Sequence, residues 1–157
     1  MTSLRISLCA LALLSTTSCR SMLEPSGFVG TYNLTAVNTH PLPATVSSGN
    51  SGCSWSADQG SLTLGASAFS LAVHVTQACP GSMGVSGLES IGGGLSITGR
   101  NTVSLNYVTD PTGSTATLGA ALDDTSVTIT VPTGLLEAPA LLALRFTGRN
   151  QAFGCAC

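Results

Sequence analysis

Residues 53–79 read CSWSADQGSLTLGASAFSLAVHVTQAC, and this stretch decides the fold. Leu62 and Leu64, then Phe69, Leu71, Val73 and Val75, alternate with smaller or polar residues on either side of Gly65-Ala-Ser-Ala68. Period-two alternation around a short turn predicts an antiparallel hairpin with one apolar face. Opposing Leu64 with Phe69 also opposes Leu62 with Leu71, so the apolar faces agree. Followed further back, the phase slips, because Trp55 and Ala57 are odd-numbered whereas Leu62 and Leu64 are even-numbered. A single-residue bulge near Gln59-Gly60 restores one face. The same bulge sets Cys53 opposite Cys79, so two independent features ask for one register.

The pattern extends outward from this hairpin. Phe28 to Asn38 alternates, with Phe28, Gly30, Tyr32, Leu34 and Ala36 on one face of a half-buried strand. A turn at Asn38-Thr-His-Pro41 leads to a short strand from Leu42 to Val46 and a polar loop. Downstream, residues 80–94 are Gly-rich with a weak strand from Met83 to Ile91. Leu95–Ile97 pairs with Val103–Tyr107, and Ala116–Leu122 pairs with Val127–Val131 around Asp123-Asp-Thr-Ser126. Leu141–Phe146 reads as the closing strand. Ser, Thr, Gly and Val dominate and favour strands and turns over helix. About eight to ten short strands at regular spacing mean an all-β sandwich or barrel. Successive tight hairpins favour an antiparallel up-and-down meander closed into a small barrel, since closure removes exposed edges. Tyr32, Leu34, Trp55, Leu62, Leu64, Leu71, Val73 and Leu105 are expected to face its interior.

Arg5, the apolar run Ile6–Leu14 and the small residues Ser15-Thr-Thr-Ser18 form an export signal. Its centre is too short for a membrane span, which needs about 20 apolar residues. The cysteine that follows resembles a bacterial lipobox, although Thr16 stands where such motifs usually carry Leu. That resemblance implies lipidation of Cys19 and cleavage before it, placing the chain in the bacterial envelope at the outer membrane, facing the periplasm. Ordinary signal cleavage near Ser18 or Ser21 is the alternative. The expected organisation is a signal peptide at 1–18, a tether at 19–27, a barrel domain at 28–148 and a Cys-containing tail at 149–157. Without residues 1–18, four arginines face seven carboxylates, a net charge of about −3, and lysine is absent. Nucleic-acid binding has no electrostatic footing on such a chain.

Gly30-Thr-Tyr-Asn-Leu-Thr-Ala-Val-Asn38 followed by Pro41-Leu-Pro-Ala-Thr-Val46 resembles the opening of small bacterial lipocalin-like lipoproteins. Those proteins continue with hairpins like Gly60–Leu64 to Phe69–Leu71 and end in a Phe-Arg strand, reversed here as Arg145-Phe146. The resemblance covers roughly residues 28–148 and implies a small antiparallel barrel, with no catalytic residue to carry over. A hollow barrel would admit a small apolar ligand at its mouth, beside Tyr32, Trp55, Leu71 and Leu105. A filled barrel would instead be a structural or protein-interaction module of the envelope.

An exported chain meets an oxidising compartment, where a Cys53–Cys79 disulfide persists. Cys155 and Cys157 close the sequence. Four cysteines allow three connectivities, and one Cys-x-Cys without neighbouring ligands is a weak metal signal. His40 sits in a turn and His74 on the polar strand face, both read as solvent-facing. Asp123-Asp124 is a hairpin turn, no Gly-x-Ser-x-Gly elbow occurs, and Gly92-Gly-Gly94 lacks a phosphate loop's Lys. No nucleophile–base set assembles from the linear sequence, so no enzyme activity, metal or cofactor is expected.

Overall fold

The computed structural model describes residues 25–47 and 52–148. A short 3₁₀ turn, Pro25–Phe28, precedes ten strands. These are β1 (Gly30–Val37), β2 (His40–Pro41), β3 (Ala44–Ser47), β4 (Ser54–Leu64) and β5 (Ala68–Ala78), followed by β6 (Val85–Gly99), β7 (Thr102–Val108), β8 (Thr115–Leu122), β9 (Ser126–Val131) and β10 (Leu142–Thr147). From β4 onward each strand pairs antiparallel with the next, β10 pairs with β1, and β1 pairs with β4. Eight strands therefore close into an antiparallel meander barrel, an architecture consistent with a lipocalin-like fold.

The seam of this ring explains the two extra strands. β1 and β4 pair only where Gly30–Asn33 meets Ser61–Leu64. Beyond that point β2 runs back along β1, with Val37 opposite His40. The chain then reverses at the cis Leu42–Pro43 bond, and β3 follows β4, with Ala44 opposite Ala57. The short strand expected over Leu42–Val46 is β3, starting two residues later, and β2 falls in the segment expected as a turn.

In the central hairpin Leu64 opposes Phe69 and Leu62 opposes Leu71, the register expected from the alternation. The bulge falls between Ala57 and Gln59, one position earlier than the expected site, leaving Asp58 as the extra residue. It turns Trp55 and Ala57 inward with Leu62 and Leu64, all buried. One step past the Ser54–Ala78 pair, a disulfide joins Cys53 to Cys79 across a Cα separation of 4.0 Å. Closing a loop of that sequence separation, 26, is worth about 3 kcal/mol in the chain-entropy model.

Two expectations need correction. In β1 the register shifts between Leu34 and Ala36, so Val37 turns inward in place of Ala36. A bulge moves every later side chain to the opposite face, which uniform alternation does not anticipate. Residues 85–99 form one continuous strand, not a weak strand and a separate hairpin arm. Glycine propensity marked a break, but Gly92–Gly94 is held by Ala68–Ser70 on one side, and Gly93 and Gly94 by Tyr107 and Asn106 on the other. At Gly93 a Cβ would collide with the backbone carbonyl of Asn106, so glycine permits the close approach of β6 to β7.

Candidate functional site

The barrel interior was the expected ligand site, and its side chains are packed. Tyr32, Trp55, Leu71 and Leu105 all point inward and are at most 2 % exposed. They lie in one apolar cluster with Phe146, Ile129, Leu144 and Val73. The Tyr32 hydroxyl donates to the carbonyl of Phe28 at 2.8 Å, and burial raises its pKa above the ordinary value. Among the described residues no buried side-chain nitrogen or oxygen lacks a hydrogen-bond partner.

The mouth is capped by residues 132–141, between β9 and β10. Gly134, at φ 86°, turns the chain into a short 3₁₀ segment, Leu135–Glu137, that buries Leu136. The Trp55 indole N–H donates to the Leu136 carbonyl at 3.0 Å in a buried bond. The lone tryptophan therefore holds the plug, with its polar end satisfied by protein. Beside this plug, a half-open depression of about 300 Å³ lies between the disulfide and the cap, lined by Cys53, Trp55, Gln77, Gly134 and Glu137.

The outer wall of β4, β5 and β6 carries an arrangement that the linear sequence conceals. The bulge projects Asp58 outward, and its Oδ1 lies 2.8 Å from His74 Nδ1. On the other side of the ring, Ser86 Oγ lies 3.1 Å from His74 Nε2. Thr76 Oγ1 donates to Ser86 Oγ at 3.0 Å. Donor and acceptor roles follow from chemistry. A carboxylate only accepts, so Nδ1 carries a proton toward Asp58, and in the neutral ring Nε2 is the nitrogen left to accept from the Ser86 hydroxyl. Sheet geometry builds the group. Thr76 is opposite Ser86, and His74 is opposite Leu88 two residues on, so Ser86 is the diagonal neighbour of His74. His74 keeps 30 % of its side chain exposed and Asp58 56 %.

A groove of about 440 Å³ borders this group, lined by Leu34, Leu42 and Leu88 and by polar Asn33, Asp58, Gln59 and Ser61. His74 was read as facing solvent without partners. It does face outward, but the fold brings it a carboxylate and a hydroxyl. Sequence reasoning missed this set because two registers and a bulge must be right before the residues meet.

His40 is exposed at the seam, and Asp123-Asp124 lies in the β8–β9 turn. Among the described residues no group of three or more His, Cys, Asp and Glu could hold a metal. Cys19, Cys155 and Cys157, with the signal and most of the tether, lie outside the described residues. In comparisons with known proteins, the chain matches no protein-family model, no curated protein and no solved structure.

Proposed function

We propose that the chain is an exported, lipid-anchored envelope protein of the lipocalin-like kind, whose barrel is a solid scaffold and whose work is done on its exterior. Export and anchoring rest on the Arg5, Ile6–Leu14 and Cys19 pattern. The observation that carries the solid-scaffold reading is the closed mouth, where Trp55 bonds to Leu136 over an interior of fully buried side chains. An apolar carrier needs a concave, mostly pre-formed pocket, and Tyr32, Trp55, Leu71 and Leu105 are instead packed against protein.

Two measurements test this. Cells fed an alkyne fatty acid should label the wild type at Cys19, and Cys19→Ala should lose the label. A wild type that stays unlabelled would remove the anchor. Titration of the soluble domain with fatty acids of several lengths should leave Trp55 fluorescence without a saturable change. Saturable quenching would restore the ligand-carrier reading.

A further inference from the structure

We infer that Ser86, His74 and Asp58 form a serine acyl-transfer site on the outer wall, acting on esters with an apolar acyl chain. This goes beyond the scaffold role and does not depend on lipidation of Cys19. The hydrogen-bond chain has the polarity that nucleophilic catalysis requires. With the ring neutral, Asp58 accepts from Nδ1 and Ser86 donates to Nε2, across distances of 2.8 and 3.1 Å. Such a constellation is recognised by geometry and roles, not by sequence position. The bulge that supplies Asp58 belongs to a class of irregularity over-represented beside active sites, where it re-aims a side chain.

Two further features point to the substrate. Between Val85 and Gly92, β6 pairs with β5 only, because its pairing with β7 begins at Gly93. Alternate residues of an antiparallel strand turn both N–H and C=O to the same side. Every second amide along this edge therefore faces away from β5, where it can donate to a substrate carbonyl. Met83, Val85 and Leu88 are 93, 72 and 66 % exposed. Of these, Leu88 shares the outer strand face with Ser86, whereas Val85 is turned to the opposite face, and Leu88 also lines the adjacent groove with Leu34 and Leu42. An acyl chain running from Ser86 past Leu88 into that groove would cover Leu88.

The chemistry balances with water as co-reactant. Ser86 Oγ forms a bond to the ester carbonyl carbon while its proton passes to His74 Nε2, and the carbonyl electron pair moves onto oxygen. Collapse breaks the bond to the alcohol oxygen, which takes the proton from His74 and leaves acyl-Ser86. His74 then accepts a proton from water as the water oxygen attacks the acyl carbon. The bond to Ser86 breaks, Ser86 recovers its proton and the free acid departs. Asp58 is the positioning residue, fixing the ring's tautomer and orientation.

The test uses the disulfide-intact, folded protein and a fluorophosphonate probe, with peptide mapping of the adduct. The adduct is expected on Ser86 and absent in Ser86→Ala. His74→Ala should slow labelling by about 10²-fold or more. Asp58→Asn should slow it and flatten its pH profile, and Asp58→Glu should recover part of the rate, all at unchanged melting temperature. p-Nitrophenyl octanoate should turn over faster than the acetate ester. A folded wild type that does not label, or an adduct that persists in Ser86→Ala, would overturn the site. Equal rates on the two esters would overturn the acyl-chain assignment.

Discussion

The inner and outer faces of β4 and β5 belong to the same two strands, yet different forces hold them. Inside, Leu62, Leu64, Phe69, Leu71, Val73 and Val75 are all buried. Each contributes through area removed from water, on the order of 1.5–3 kcal/mol for a Val, Leu or Phe side chain. Outside, Thr31 and Thr63 share a hydrogen bond across the seam, and Asp58, His74, Thr76 and Ser86 form the chain described above. Those groups compete with water, so each bond adds little to stability. Stability therefore lives on one face, which leaves the other free to carry chemistry. A single extra residue, Asp58, serves both, because it brings Trp55 into the core phase and is itself turned outward.

Substitutions that strike one face and spare the other can break this contrast. The largest effect is expected from Leu105→Ala, which empties a fully buried site and should cost about 2–5 kcal/mol in chemical denaturation. Loss of the disulfide by Cys53→Ser with Cys79→Ser should follow, at about 2–4 kcal/mol. Trp55→Phe trims the buried ring and strips the buried Leu136 carbonyl of its donor. The expected cost is about 1–3 kcal/mol. On the outer face, Leu88→Ala and Asp58→Asn should each stay within about 0.5 kcal/mol of the parent. An outer-face variant as damaging as Leu105→Ala would end the distinction.

The smallest effect is confined to the β7–β8 turn. Side-chain hydrogen bonds from Thr112, then Ser114, hold the Asp110 carboxyl down at about 2. A folded value below the ordinary one means that the stabilisation is present above the usual carboxylate range and lost as pH falls through about 2. An NMR titration of Asp110 should show that midpoint, and Thr112→Val should move it back toward 3.8.

The inner face was legible in the sequence because alternation reports burial directly. The Leu64–Phe69 register, the need for a bulge and the Cys53–Cys79 opposition follow from counting odd and even positions in residues 53–79, and the meander from the successive hairpins along the chain. The β1 bulge was not legible, since Ala36 and Val37 are both apolar and neither phase is excluded. The outer set was hidden for another reason. Asp58 and His74 are 16 residues apart, and His74 and Ser86 are 12 apart. Ser86 lies within the weak strand expected over Met83–Ile91, and its meeting with His74 depends on the register of that strand against β5, which a Gly-rich stretch leaves weakly specified. Outward polar residues carry no periodic signal of their own, because exposed Ser, Thr and Asp are tolerated anywhere on that face.

A solid interior is the premise on which an exterior function rests, and Leu71→Trp tests it most directly. Leu71 is fully buried on the inner face of β5. Adding an indole to a filled core forces neighbours off their rotamers and should cost about 1–3 kcal/mol of unfolding free energy, with the disulfide intact. A Leu71→Trp protein as stable as the parent, with its new ring accommodated, would reveal space inside the barrel and contradict the account.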